Sequence, residues 1–268
     1  MNMATGYGFV PGRLSGLLLA VLLVFSGAGC VTNTDSVFTS PPAPEDELER
    51  RVALARQYIG ERDWENAKRN LAHAVEIDER DAEVHEAFAL VYQSTGEKEL
   101  AEKSFIRAIK LDREFSRARN NYAAFLFGEQ RYAEAEAQLE FVVRDSLYGA
   151  RPLSFVNLGL CRLQLDKFDG AEEAFVRALS MDRTNPIALL ELASLRYEAG
   201  DYAAANRHYG IYRTLVRPQP ARALWLGIRL ARAMDDRDSE GSYAMALTNL
   251  YPDSTESRNY RRIQRNEQ

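Results

Sequence analysis

One pattern of helical spacing recurs six times along the chain and constrains its fold more than any other feature. Each copy has a small residue, a large residue four positions later and an apolar residue three positions after that. The six copies are Ala67/Leu71/Ala74, Ala101/Phe105/Ala108, Ala135/Leu139/Val142, Ala171/Phe175/Ala178, Ala205/Tyr209/Tyr212 and Ser239/Tyr243/Ala246. Their first residues are separated by 34, 34, 36, 34 and 34 positions. Units of this length cannot bury their apolar faces alone, so they must stack on their neighbours.

A period of 34 residues made of paired helices is typical of tetratricopeptide repeats. The sequence therefore predicts an all-α fold, a right-handed superhelix of six helix pairs with a concave groove. The repeats are expected at residues 48–81, 82–115, 116–151, 152–185, 186–219 and 220–254, within one solenoid of residues 47–254. The longer third interval predicts an extended loop at Asp145–Pro152, and residues 255–268 are expected to form a frayed polar tail.

A second repeated feature supports this register. Twelve positions before each triplet stands a small residue, which predicts a point where two helices approach closely. These residues are Ala55, Ala89, Ala123, Gly159, Ala193 and Gly227.

The first thirty residues have the features of a targeting signal. The apolar run from Leu14 to Phe25 is too short for a membrane span, which needs roughly 20 residues, but it has the length of a signal-peptide core. Small residues then lead to Cys30, an arrangement that resembles a bacterial lipobox, although Gly27 stands where Leu is usual. The resemblance implies that residues 1–29 are removed and that Cys30 carries a lipid. The alternative is an ordinary signal peptide, cleaved after an Ala-x-Ala-like site, with a free thiol at Cys30.

The segment after the cysteine gives two further expectations. Residues 30–46 contain three prolines and small polar residues, which predicts a lipidated flexible tether. Val31 follows the cysteine where lipoproteins retained at the inner membrane have Asp. By this resemblance the protein is expected on the periplasmic face of the outer membrane. The covalent lipid is the only prosthetic group expected, and no cofactor is predicted.

Composition and reactive side chains argue against catalysis and against nucleic acid. The net charge of -5 does not provide the basic surface that phosphate binding needs. Cys30 and Cys161 make neither a disulfide framework nor a zinc site, and Cys161 is expected in the core. His73, His85 and His208 show no metal-binding spacing, and no phosphate loop or nucleophile motif occurs. The chain is therefore expected to bind proteins, with no enzyme activity, metal or small-molecule substrate.

The first helix of each pair lines the groove in this repeat class. At about the second, fifth, ninth and twelfth positions, the register predicts an apolar groove suited to an amphipathic segment of a partner. The predicted groove residues are Arg117, Asn120, Asn121, Ala124, Phe127, Leu153, Val156, Leu160, Leu163, Ile187, Leu190, Ser194 and Tyr197. The asparagine pair could hydrogen-bond a peptide backbone. Alternatively, these residues pack between helices and the register is shifted by one.

Three stretches go beyond the general repeat pattern, namely residues 118–126 (ARNNYAAFL), 189–193 (LLELA) and 224–233 (LWLGIRLARA). With Cys30 and six repeats, they resemble the type IV pilus biogenesis lipoproteins, the pilotins of the pilus secretin. Ala123 departs from this family, which often has Gly after Asn-Asn-Tyr. The resemblance implies a monomeric adaptor that binds secretin subunits and promotes their localisation and multimerisation in the outer membrane, for pilus assembly and twitching motility. The alternative is a scaffold for another envelope machine, such as β-barrel assembly or peptidoglycan enzymes.

Overall fold

The computed structural model describes residues 43–266, so Cys30, the predicted signal peptide of residues 1–29 and most of the predicted tether lie outside the described residues. This part of the chain contains thirteen α-helices and no β-strand, which confirms the all-α prediction. The helices are α1 (Pro44–Glu61), α2 (Trp64–Ile77), α3 (Ala82–Thr95), α4 (Lys98–Leu111), α5 (Ser116–Gly128), α6 (Tyr132–Val142), α7 (Arg151–Gln164), α8 (Phe168–Met181), α9 (Pro186–Glu198), α10 (Tyr202–Leu215), α11 (Ala221–Ala233), α12 (Arg237–Leu250) and α13 (Thr255–Asn266). Helices α1 to α12 form six consecutive pairs.

Helix α1 begins earlier than the sequence predicts. It starts at Pro44, so residues 44–46 belong to a helix rather than to the predicted tether of residues 30–46. Proline is favourable at the start of a helix because its fixed φ suits the first turn and its missing N–H has no intrahelical role there. The prediction missed this start because it took three prolines as one extended segment.

The turn inside each pair has the same backbone geometry in all six pairs. One residue of each turn has a positive φ, between 55° and 82°. These residues are Arg62, Gly96, Gln130, Asp166, Gly200 and Asp235. A left-handed residue ends a helix and reverses the chain within two or three positions. Asp63, Asp201 and Asp236 then cap the second helix by accepting a hydrogen bond from the backbone N–H three residues on.

The small residues at the predicted points of close approach are buried or tightly packed. Ala55, Ala89, Ala123 and Ala193 have almost no exposed surface. A Cβ atom added to Gly159 would lie 2.6 Å from the ring of Phe175, on the second helix of the same pair. The small residue therefore sets how closely the two helices of a pair can pack.

Aspartates end several of the second helices and shape the connections between repeats. The carboxylates of Asp78, Asp112 and Asp182 accept hydrogen bonds from the backbone N–H two residues later, at 2.8, 2.9 and 3.0 Å. Such Asx turns satisfy backbone groups just after a helix end. The connection between α6 and α7 is longer, residues 143–150, and Ser116 Oγ donates to Asp145 Oδ2 at 2.6 Å to hold it against the start of α5.

Helix α13 corrects the prediction that residues 255–268 form a frayed tail. Ser257 is fully buried, and its Oγ donates to the carbonyl of Tyr251 at 2.7 Å. Tyr260 is buried in a cluster with Leu224 and Ile228 of α11. The polar composition concealed this helix because only a single row of its side chains packs on the last repeat.

Helix α13 departs from the repeat pattern at the position of close helix approach. Arg261 stands 34 residues after Gly227, at the place where every complete pair has a small residue. No second helix packs against it among the described residues, so a long charged side chain is tolerated. The exposed arginines Arg258, Arg261, Arg262 and Arg265 give the end of the solenoid a polar surface, which a terminal repeat needs for solubility. Over residues 43–266, no helix combines the length and the apolar character that crossing a membrane would require.

Candidate protein-binding surfaces

The first helices of successive repeats form one continuous face, called here the first-helix face (α1, α3, α5, α7, α9 and α11). Side-chain hydrogen bonds link several of these helices to the next. Arg56 Nη2 donates to Glu86 Oε2 at 2.6 Å, and Ser154 Oγ donates to Asn120 Oδ1 at 2.9 Å. Because the first helices touch across repeats, this face is the one on which a groove is expected.

The predicted asparagine pair lies between helices. Asn120 is buried, and its side-chain oxygen accepts the hydrogen bond from Ser154. Asn121 Nδ2 donates to Glu86 Oε1 at 2.6 Å. Asn120 is thus not available to a peptide backbone, and the prediction that it lines an open groove is wrong.

Glu86 was not predicted as an important residue, yet it organises the start of this face. Its side chain is completely buried, and it accepts hydrogen bonds from Arg56 and Asn121. Arg117 lies close enough for a further ion pair, at 3.8 Å, and also pairs with Glu83 at 3.0 Å. A buried carboxylate is tolerated only when paired and hydrogen-bonded, which this network provides.

The predicted apolar groove residues divide into two groups. Val156 and Leu190, at the fifth position of their repeats, are buried in the core, and their assignment to an open groove is corrected. The fifth position faces the next first helix, as Asn120 also does, so neighbouring repeats cover it. At the second position, Leu153 and Ile187 are 45% and 44% exposed.

A small cavity brings three of the predicted residues together. Its volume is about 110 Å³, and it lies between α5 and α7. Ala124, Phe127 and Leu160 line it with Ala123, Leu139, Asn157 and Cys161. Cys161 is buried as predicted, and desolvation raises the pKa of its thiol to about 12. The cavity has room for one aliphatic side chain of a partner, given that a cavity of about 150 Å³ accepts benzene.

Tyr197, another predicted groove residue, is partly covered. The guanidinium of Arg229 stacks on its ring at 4.1 Å, and Tyr202 lies 5.2 Å from it. Leu163 is half-buried as well. The accessible part of the predicted groove is therefore centred on Ala124, Leu153 and Ile187 rather than on the whole set.

A larger cleft lies on the side of the second helices, and sequence reasoning missed it. The apolar cleft, formed by α2, α3 and α4, has a volume of about 990 Å³ and is lined mainly by Val75, Phe88, Tyr92, Leu100 and Ile106. The rings of Phe88 and Tyr92 stack at 5.7 Å. Leu100 and Ile106 are 43% and 37% exposed, although both are large and apolar. Both residues are apolar at positions outside the repeated triplet, and this feature of the sequence could have indicated the cleft.

The rim of the apolar cleft is basic. Lys103, Arg107 and Lys110 lie on one exposed face of α4, at intervals of four and three residues. Glu99 and Glu102 are the acidic residues of the lining. An exposed apolar surface rimmed by charge is typical of a protein-binding site.

The histidines make no cluster with other ligand-type residues. His85 Nε2 lies 2.8 Å from the carbonyl of Glu79, and His73 Nδ1 lies 3.2 Å from Glu76. Burial lowers the pKa of His208. Among residues 43–266 there is no group of three histidine, cysteine or acidic side chains placed to hold a metal ion.

Comparison with known proteins identifies the family. The tetratricopeptide repeat family matches residues 82–115 and 153–185. The chain is 37% identical to the type IV pilus assembly protein PilF of Pseudomonas aeruginosa over 239 residues, which cover 89% of this chain and 94% of PilF. A solved structure from the functional characterisation of P. aeruginosa PilF superposes with a TM-score of 0.78 and 36% identity, covering 82% of this chain and 99% of that one.

A second solved structure supports the same assignment. It is the crystal structure of PilW, a widely conserved type IV pilus biogenesis factor. PilW superposes with a TM-score of 0.67 and 26% identity, over 80% of this chain and 97% of its own. The chain therefore belongs to the family of tetratricopeptide-repeat proteins of type IV pilus assembly to which PilF belongs.

Proposed function

We propose that the protein is a lipid-anchored adaptor on the periplasmic face of the outer membrane, which binds subunits of the type IV pilus secretin and promotes their localisation and multimerisation. The observation that carries this proposal is the 37% identity to a pilus assembly protein along nearly the whole chain. Pilus assembly and twitching motility would depend on this step. The secretin, the lipid on Cys30 and the outer-membrane location follow from the family resemblance and from the sequence near Cys30.

The apolar cleft is the surface best suited to hold a partner. Its volume of about 990 Å³ is at the upper end of the range for ligand pockets. The stacked rings of Phe88 and Tyr92 and the exposed side chains of Leu100 and Ile106 offer an apolar lining to the hydrophobic face of a partner segment. Aromatic residues commonly carry much of the binding energy at such interfaces.

The accessible centre of the first-helix face is a second contact in this proposal. Ala124 and Phe127 border the cavity of about 110 Å³, and Leu153 and Ile187 extend the apolar surface along α7 and α9. An aliphatic side chain of the partner would enter the cavity. Ala124→Trp fills it, and Ala137→Trp places the same bulk on the exposed surface of α6 as a control.

A substitution in the apolar cleft tests the proposal most directly. Leu100→Asp combined with Ile106→Asp puts two charges into the cleft without changing the buried core. The matched control is Met245→Asp with Leu250→Asp, two exposed apolar residues of a second helix in the last repeat. The cleft variant should leave secretin as monomers at the inner membrane, while the control keeps multimers in the outer membrane. Normal multimers in the cleft variant, with both proteins folded, would argue against this site.

The anchor is tested separately. Cys30→Ala should remove the lipid, release the protein from the outer membrane and reduce the number of secretin multimers there. Mass spectrometry of residue 30 measures the lipid, and membrane fractionation measures the location. A pull-down that recovers β-barrel assembly subunits or peptidoglycan enzymes, and no secretin, would instead support the alternative role as a scaffold of another envelope machine.

A further inference from the structure

The apolar cleft has a structural counterpart two repeats further along the solenoid. It is formed by α6, α7 and α8 and has a volume of about 480 Å³. Phe155 and Leu158 stand 70 residues after His85 and Phe88, and Arg177 stands 70 residues after Arg107. The two clefts are thus the same place in the repeat, on the same side of the stack.

The chemistry of the second cleft is different. Four arginines line it, Arg144, Arg151, Arg162 and Arg177, and it is called the arginine cleft. The carboxylates in its lining are those of Glu140 and Glu173. Its accessible apolar lining comes from Val143, Phe155 and Met181, of which Met181 is 42% exposed, while Leu158 is buried beneath them. The cleft therefore carries a net positive charge in a chain whose net charge is -5.

Two of the four arginines are fixed by the protein. Arg162 pairs with Glu136 and Glu140, each at 3.1 Å, and donates to the carbonyl of Gly170 at 3.0 Å. Arg151 Nε donates to the carbonyl of Val143 at 2.8 Å, and its guanidinium lies 5.5 Å from the centre of the Phe155 ring. These contacts give the cleft a defined floor.

The other two arginines have unused guanidinium groups. Arg144 and Arg177 are exposed, and no carboxylate of the described chain lies within ion-pair distance of either. A guanidinium binds a carboxylate through two parallel N–H donors, which makes such pairs both strong and directional. The cleft is therefore complementary to carboxylate side chains.

In the repeat between the two clefts, the equivalent site is filled by side chains. There Arg119 stacks on the ring of Phe141 at 4.0 Å and donates to Gln138 at 2.8 Å. Neighbouring helices pack about 8–10 Å apart, so two repeats separate the open clefts by about 20 Å. An extended chain of about six residues covers that distance.

We propose that the arginine cleft binds the carboxylates of an acidic segment of the protein partner whose apolar residues occupy the apolar cleft. This inference rests on the proposed function and specifies the partner segment: large apolar residues, followed or preceded about six residues away by Asp or Glu. The apolar floor suits the stems of those side chains. Glu140 and Glu173 would repel a doubly charged phosphate more than a single carboxylate.

The test compares variants in a direct binding measurement. The mature chain with Cys30→Ala is titrated with purified pilus secretin subunit at about 0.05 M and about 0.3 M salt. Arg144→Gln with Arg177→Gln should weaken binding at least about tenfold at low salt, and the difference should shrink at high salt. The matched control, Arg80→Gln with Arg183→Gln, removes two exposed arginines from inter-repeat turns and should bind as the wild type does. Thermal unfolding establishes that each variant is folded.

The possible outcomes separate the two proposals. Failure of the wild-type chain to bind secretin would overturn the proposed function itself. Binding by the wild type that the double variant matches at both salt concentrations would overturn the arginine cleft alone. A third outcome also overturns it: secretin binding is unchanged, and Arg144 and Arg177 are instead needed for cosedimentation with phosphatidylglycerol vesicles. That result would assign the cleft to lipid headgroups.

Discussion

Asn121 donates a hydrogen bond of 2.6 Å to the carboxylate of Glu86, which is completely buried between α3 and α5. Arg56 donates to the other oxygen of the same carboxylate, also at 2.6 Å. One acidic side chain thereby joins the first helices of three successive repeats. The start of the first-helix face depends on a polar network rather than on apolar packing alone.

Replacing Glu86 should therefore destabilise the protein. Glu86→Ala removes the acceptor of Asn121 and the nearer acceptor of Arg56, which keeps only Glu83 at 3.5 Å. We expect a loss of about 2 kcal/mol, because Arg56 and Arg117 remain partly accessible to water. Urea unfolding measures the difference. Glu76→Ala, an exposed carboxylate on α2, serves as control and should change the free energy of unfolding by less than about 0.5 kcal/mol. Equal effects of the two substitutions would contradict the role given to the network.

Substitution by alanine should change the stability of the protein in opposite directions at Gly159 and at Gly210. An alanine in a helix is normally more stable than a glycine, by about 1 kcal/mol. At Gly159 the added Cβ would meet the Phe175 ring at 2.6 Å, so Gly159→Ala should lower stability by about 1–3 kcal/mol. Gly210, inside α10, has no such neighbour within 4 Å, and Gly210→Ala should raise stability. Thermal unfolding of both variants decides the matter, and a gain at Gly159 would show that Phe175 moves aside freely.

The sequence predicted the spacing that every repeat shares, and it failed to predict which positions the neighbouring repeat covers. The period located the helix pairs, and the small residues Ala123 and Gly159 located the close contacts, because these positions have the same neighbours in every repeat. The fifth position of the first helix was misassigned, since whether Asn120 or Val156 is covered depends on the neighbouring repeat. Which side chains are buried depends on how neighbouring repeats stack, and the repeat period alone does not specify this.

Two further features could not be read from the repeat pattern. The apolar cleft depends on Leu100 and Ile106, which lie outside the repeated spacing of the triplets and become neighbours of Phe88 only after α2, α3 and α4 pack together. Helix α13 has one buried row, carried by Ser257 and Tyr260, and its composition otherwise resembles a tail. In both cases the environment of the side chains is set by the helix that packs beside them.

The thiol of Cys161 should be unreactive in the folded protein. Desolvation raises its pKa from an ordinary value of 9.0 to about 12, so roughly one molecule in ten thousand carries the thiolate at pH 8. In the Cys30→Ala variant, we expect a disulfide reagent such as Ellman's to react slowly before unfolding and fast in urea. Adding Ala137→Cys supplies an exposed thiol on α6 that should react at once. Rapid reaction of two thiols in the folded double variant would contradict the burial of Cys161.

The same raised pKa fixes the sign of a pH dependence. The folded state favours the neutral thiol, so this group contributes its full stability below about pH 9 and loses it as the pH rises towards 12. Replacing Cys161 by Ala should therefore make the free energy of unfolding fall less steeply above pH 9. Urea unfolding of the wild type and of Cys161→Ala at pH 8 and pH 10 measures how the free energy of unfolding of each changes with pH. The same change in both proteins would contradict a raised pKa of the Cys161 thiol.

Helix α13 should stabilise the last repeat and leave the first repeats unaffected. Tyr260 packs with Leu224 and Ile228, and Tyr260→Ala should cost about 3 kcal/mol, close to the loss for other large buried aromatics. Because each repeat contacts only its neighbours, the loss should be local. Hydrogen exchange should accelerate in α11 and α12 and stay unchanged in α1 to α4. Arg262→Ala, on the exposed side of the same helix, should leave exchange as it is, and acceleration spread evenly over the whole chain would show that α13 is not a local cap.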